Sequence, residues 1–279
     1  MSNNVLFLQI GGVHSLISQA RSTRDLWAGS YLIAWHATRL VQELEKEHKA
    51  TFLFPTFEGN EHFDQHPLPL LHWLKRNDAD RKEDNQREQS VRRALIPRIS
   101  NRIVASINES PETISETIYS IFGDPKKPQK NCEWHQIANS VQEWLANFAK
   151  EIDVEFSSEW DARFLHQIHN FWDLSWLFTE AENIKNIQSY GTVSKDFDAT
   201  RSLRLFHALP PLTDNLSREK DALTGREEAL LTDSFFRKFR DPEGQLLESQ
   251  KENQAAITLN HLFRPVSYTH LTLPTIRLV

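Results

Sequence analysis

The chain is 279 residues long and acidic, with a net charge of −6, a sequence pI near 6.1 and a single cysteine, Cys132. An acidic balance argues against a surface that grips nucleic acid unaided, since such surfaces are usually basic, and a lone cysteine excludes both an internal disulfide and a thiolate zinc cage. Hydrophobic residues make up 39% of the chain, enough for a packed core, and there is neither a basic secretory n-region nor an apolar run near the ~18 residues of a membrane span, so the expected location is cytoplasmic with no membrane partner.

"NVLFLQI" (Asn4 to Ile10) is a continuous apolar run and predicts a buried strand, central in its sheet because both faces are apolar. Gly11-Gly12 permits a sharp turn, and a helix is expected to start near Val13 to Ser15. "ARSTRDLWAGSYLIAWHATRLV" (Ala20 to Val41) reads as helical, with periodicity clearest from about Leu26 to Lys46. Gly29 is its anomaly: the chain has only eight glycines, and one inside a helix costs about 1 kcal/mol relative to alanine. "ATFLFP" (Ala50 to Pro55) predicts a second strand closed by proline. A loop rich in His, Pro and Asn runs from Thr56 to about Pro69, and a mixed-charge run from Lys75 to Arg93. Together they read as a charged insertion near 56–93 with a solvated surface.

"RIVASI" (Arg102 to Ile107) predicts a third strand. "SPETISETIYSIF" predicts a helix with Ser110 as N-cap and Pro111 at its first position. After the turn "GDPKKPQK" (Gly123 to Lys130), the pattern to about Phe239 is expected to be mostly helical. Strand, glycine turn, helix, strand, insertion, strand, helix is the start of a ferredoxin-like α+β unit, here followed by a helical region.

Chemistry is sparsely signalled. "IGGVHS" (Ile10 to Ser15) lies between a strand and a helix, where free N–H groups suit a phosphate and glycines let it come close; an ordinary tight turn has the same pattern. The dinucleotide fingerprint and the phosphate-binding lysine loop are absent. His166, His169 and Asp173 fall at i, i+3 and i+7, which would place them on one helix face. The apolar set Phe164, Leu165, Ile168, Phe171, Trp172 and Trp176 claims the core side, so the polar trio is expected to face water rather than a metal. "EHFDQH" (Glu61 to His66) offers further ligand types in a loop. No metal site and no catalytic residue is assigned.

"FLQIGGVHSLISQARSTRDLWAGSYLIAW" (Phe7 to Trp35) closely resembles the start of the palm-like first domain of the polymerase/cyclase large subunit of type III-B CRISPR effector complexes. Thr23, Arg24, Asp25, Leu26, Trp27, Ala28, Gly29 and Ser30 keep the family's Thr-Arg-Asp-Leu-Trp-Ala-Gly-Ser block intact. Gly12 stands in place of the family's usual proline and His14 in place of its glutamine. "LFPTF" (Leu53 to Phe57) and "LIPRISNRIVASI" (Leu95 to Ile107) resemble later strand segments, with an Asn-Arg pair at Asn101 and Arg102. "FWDLSWLF" (Phe171 to Phe178) and "SLRLF" (Ser202 to Phe206) fit the family's helical part. The resemblance covers about Val5 to Gly225.

The resemblance implies a palm-like ferredoxin-type domain over 1–155, a helical domain over 156–265 and a tail over 266–279. The tail resembles translated adapter DNA and is expected to be non-native and poorly packed. Where the family has a zinc-binding Cys-x-x-Cys-Gly, this chain has Asp221, Thr224 and Gly225, so no zinc is expected. No histidine-aspartate nuclease domain precedes the first strand, and the catalytic Gly-Gly-Asp-Asp is missing, so the chain is expected to be an N-terminal fragment, inactive alone. Its parent would be a cyclic oligoadenylate synthase using ATP with divalent metal ions. By the same resemblance, Gly11, Gly12, His14, Ser15, Trp27, Gly29 and Ser30 would form a wall of the nucleotide site. The implied partners are other subunits of the effector complex, with guide RNA and target RNA reached indirectly. The alternative reading is a stand-alone, non-catalytic binding or scaffold protein on a ferredoxin-like fold.

Overall fold

The computed structural model describes residues 4–13, 23–55, 99–124, 132–154, 156, 158–180, 187–202 and 233–262. In chain order the described elements are β1 (Asn4–Gly11), α1 (Thr23–His48), β2 (Thr51–Phe54), β3 (Arg102–Ile107), α2 (Pro111–Phe122), α3 (Glu133–Glu151), α4 (Ser158–His169), β4 (Asp173–Glu180), α5 (Ile187–Ser202), α6 (Asp233–Phe236), a 3-10 turn (Glu248–Gln250) and α7 (Gln254–Leu262). They fall into two compact units. The first comprises Met1–His14, Gly29–Phe122 and Trp172–Leu209, and the second Ser15–Ala28, Gly123–Phe171 and Pro210–Val279.

The first unit is built on a four-stranded sheet of order β2-β3-β1-β4, antiparallel at every pairing. This is the ferredoxin-like order, and β1 is interior as its apolar run predicts. Val5, Leu6, Phe7, Leu8 and Ile10 are all buried. Register sorts the side chains between two faces. Leu6, Leu8 and Ile10 share one face with Ala105, Ile103, Trp176 and Leu174, while Val5 and Phe7 share the other with Val104 and Leu177.

Helices α1 and α2 serve the first face. Ile33, Ala37, Leu40 and Leu44 form the buried stripe of α1 at helical spacing. Its His36 is fully buried, hydrogen-bonded through Nδ1 to the Leu32 carbonyl at 2.9 Å and packed between Phe122 (5.6 Å) and Trp172 (4.9 Å). His48 and Thr117 hydrogen-bond across α1 and α2 at 2.7 Å. Tyr119 meets Trp176 edge-on at 5.6 Å, tying α2 to β4. The α2 start behaves as its sequence indicates: the Thr113 N–H donates to Ser110 Oγ at 3.3 Å, ahead of Pro111.

The second face is closed by α5. Val193 and Phe197 join Val5, Phe7 and Val104 in one buried cluster, with Leu177 and Tyr190 at its margin. Phe7 lies 5.6 Å from the Tyr190 ring and 6.0 Å from the Phe197 ring.

β4 and its neighbourhood correct three expectations. "FWDLSWLF" does not continue the helical region: Asp173–Glu180 is a strand paired with β1 along its whole length. His166, His169 and Asp173 therefore share no helix face, because α4 ends at His169 and Asp173 opens the strand. Nor do the two histidines face water. Both are half-buried, and the His169 ring meets buried His135 at 6.2 Å. The strand prevails because an unpaired β1 edge would leave buried N–H and C=O groups unsatisfied. The fourth strand thus comes from within the stretch read as the helical domain.

The second unit is helical. Cys132 caps α3, its sulfur accepting the His135 N–H at 3.4 Å, and burial pushes its thiol pKa up, as suits a structural thiol. The Trp134 indole N–H donates to the Ile168 carbonyl at 2.8 Å, and its ring stacks on Phe171 at 4.7 Å, which joins α3 to α4. Asn253 caps α7 by accepting the Ala255 N–H at 2.9 Å, and it donates to the Glu151 carbonyl at 3.1 Å. Arg240 is buried against Phe236 and Phe239 and donates to Asn260 Oδ1 at 2.6 Å and to its carbonyl at 3.1 Å. Burial lowers its pKa to about 10, which leaves it charged at neutral pH. The insertion near 56–93 lies outside the described residues, and so do the Asp221, Thr224 and Gly225 stretch and the tail from Val266.

Gly191 lies inside α5 with no heavy atom within 4 Å of where a Cβ would stand. Gly191→Ala is expected to stabilise the first unit by about 0.5–1 kcal/mol, the helix-propensity difference. Urea unfolding checks this, and a loss of stability would show that the position is not open.

Candidate functional site

The glycine turn at the end of β1 is shaped by three backbone constraints. Asn101 brackets Ile10: its carbonyl accepts the Ile10 N–H at 2.8 Å, and its Nδ2 donates to the Ile10 carbonyl at 2.9 Å. Gly11 pairs with Asp173 across β1 and β4. A Cβ on Gly11 would stand 2.6 Å from Asp173 Oδ2 and 2.7 Å from the Asp173 carbonyl oxygen, so only glycine fits. Gly12 has φ +76°, in the left-handed region that L side chains avoid, and Val13 is already helical.

Of the residues expected at the nucleotide, Gly11, Gly12, Gly29 and Ser30 belong to the first unit, with Gly29 and Ser30 half-buried in α1. Trp27 is 49% exposed near the start of α1, in the part of the helix that groups with the second unit. His14 and Ser15 lie outside the described residues. Sequence reasoning missed Asp173 and Asn101 as neighbours of the turn. Helical spacing puts Asp173 on a helix, and Asn101 enters the sequence pattern only as half of an Asn-Arg pair. The signal for Asp173 was the alternation within "DLSWLFTE", polar at Asp173, Ser175 and Thr179 and apolar at Leu174, Trp176 and Phe178.

Chemically, Gly11 and Gly12 keep side chains off the turn, and Asp173 places a carboxylate against Gly11. That charge opposes a bare phosphate and favours one accompanied by a divalent cation, or a hydroxyl. The middle of the adjoining sheet face is not open to a ligand, because α5 covers it. Among the described residues, no group of three or more metal-ligating side chains converges, and no helix is long and apolar enough to cross a membrane.

Gly11→Ala is expected to cost about 1–3 kcal/mol, because the Asp173 backbone oxygen cannot swing away as a side chain can. Chemical denaturation checks this. A change within ±0.3 kcal/mol would mean that β4 shifts freely at this point.

The family described as CRISPR-associated protein Cmr2, N-terminal, matches residues 5–153, more than half of the chain. No curated protein sequence matches. A chain of type III-B Cmr-beta bound to cognate target RNA, solved by cryo-EM, is similar in fold, with a TM-score of 0.54 at 13% identity. The match takes in 99% of this chain and 32% of that one, so the present chain spans about a third of its length. A chain of type III-B Cmr-beta in the apo state gives a TM-score of 0.49 at 15% identity, over 95% of this chain and 30% of that one. With residues 5–153 matching and the sheet in ferredoxin-like order, the chain belongs to the Cmr2 family of CRISPR-associated proteins, over that family's N-terminal region.

Proposed function

We propose that this chain acts within the large subunit of a cytoplasmic type III-B CRISPR effector complex, where it is a palm-like scaffold rather than a catalyst. The observation that carries this reading is the family match over residues 5–153. Its partners are the other subunits of the complex, and it reaches guide and target RNA through them. The net charge of −6 supports indirect contact, since an acidic chain gains little from counterion release on RNA.

At the end of β1, the turn built by Gly11 and Gly12 is the proposed wall of a nucleotide site, with Gly29 and Ser30 as further candidates in the same unit. ATP is the proposed nucleotide, bound with divalent metal ions held by the parent's other domain. This chain's part is to exclude side chains so that the nucleotide can approach the main chain closely. The charge on Asp173 supports an ATP–metal complex over free ATP at this wall.

The test is reconstitution. Co-expressed with the remaining subunits of a type III-B complex, the intact parent is expected to co-purify at equal stoichiometry, and Gly12→Val is expected to weaken its ATP affinity at least tenfold without dissociating the complex. Failure to co-purify would favour a stand-alone scaffold, and unchanged ATP affinity would remove the turn from the nucleotide site.

A further inference from the structure

The α5-covered sheet face is apolar at its centre and polar at one end. Val5, Phe7 and Val104 lie under α5. One side-chain pair further along, Gln9 is in register with Arg102 on β3 and with Ser175 on β4, so these three stand in a row across the sheet. Here Arg102 Nη2 donates to Asp198 Oδ1 at 2.6 Å, and Arg201 Nη1 donates to the same oxygen at 3.2 Å. The Arg102 guanidinium also lies 5.4 Å from the Phe197 ring centre.

We propose that Arg102 and Arg201, converging on Asp198 at this end of the sheet, form a phosphate-binding site. A single carboxylate shared by two guanidinium groups leaves one positive charge uncompensated within the cluster, in a chain whose total charge is −6. Each arginine carries five N–H donors, and each gives only one of them to Asp198, so both forks keep donors for an oxyanion. The side chains of Arg102 and Arg201 are 28% and 26% exposed, accessible yet largely fixed. Stacking on Phe197 and the shared carboxylate already hold the guanidinium planes, so little side-chain entropy is lost when an anion arrives. A phosphate suits the pair better than a carboxylate because it presents enough oxygens for two forks at once. Asp173 stands on the same sheet face, one pair beyond Gln9.

A plain latch holding α5 to the sheet would use the same three residues, but the two roles predict opposite effects for one substitution. As a latch, Asp198 is the essential centre. As a phosphate site, Asp198 competes with the ligand. The proposal stands independently of the nucleotide reading, since it uses neither Gly11 nor Gly12.

The experiment is fluorescence anisotropy of a labelled ten-nucleotide single-stranded RNA with the full chain at low salt, with unlabelled ATP as a competitor and thermal unfolding of every variant. Asp198→Asn is expected to tighten binding about 3–10-fold, while Arg102→Gln and Arg201→Gln each weaken it by a similar factor, and added salt weakens all. Arg102→Lys, which keeps the charge but loses the fork, should fall between. Arg201 lies in the last turn of α5, so its variant tests the site even if Arg102→Gln unfolds the unit. Displacement by ATP identifies a free triphosphate as the ligand, and binding of RNA that ATP does not displace identifies a backbone phosphodiester, which would replace the indirect RNA contact proposed above with a direct one. The proposal is overturned if wild type binds neither, or if Asp198→Asn loosens binding along with the arginine variants.

Discussion

Strand β1 is hydrogen-bonded along both edges, to β3 and to β4, and its side chains are buried on both faces. Such a strand has no tolerance for a register slip, because moving by one residue would exchange Leu6, Leu8 and Ile10 with Val5 and Phe7 between two differently shaped layers. The rest of the first unit follows from enclosing it. Helices α1 and α2 fill one layer with branched aliphatics and a ring cluster around His36, while α5 fills the other with Phe197 and Val193. Burying each of these large side chains contributes roughly 1.5–3 kcal/mol.

Enclosure also decides where function can reside. With both faces of β1 covered, the strand is accessible only at its ends. At the Gly11 end three devices converge: the Asn101 bracket on Ile10, the Asp173 contact that excludes a Cβ, and the left-handed Gly12. Each fixes main-chain position rather than presenting a reactive side chain. The turn is therefore defined by its main chain, with side chains held away from it. In the second unit, the buried, helix-capping thiol of Cys132 is a poor nucleophile.

The elements that could be read from the sequence are those whose pattern matched a single period. β1 and β3 are unbroken or alternating apolar runs, and α2 announces its start through Ser110 and Pro111. β4 was missed because its neighbours misled: Phe164, Ile168, Phe171 and Trp172 recur at helical spacing and run straight into it. Continuing that period absorbed Leu174 and Trp176, whereas the polar residues between them obey a period of two. The intact block ending at Gly29 and Ser30 pointed correctly to the family, yet it carried no information on Asp173, which joins the turn only through pairing across some 160 residues of chain. Tertiary neighbours of that kind are invisible to local pattern.

The central claim is that β1 is sealed between β3 and β4, and amide hydrogen exchange on the intact chain tests it most directly. In an antiparallel sheet alternate amides of an interior strand point to opposite neighbours. If the account is right, every amide from Val5 to Ile10 exchanges slowly, at rates set by global unfolding, while those of the edge strand β2 exchange faster. Fast exchange at alternate β1 positions would show that β4 does not close that edge in solution, and the account of the turn beside Asp173 would fall with it.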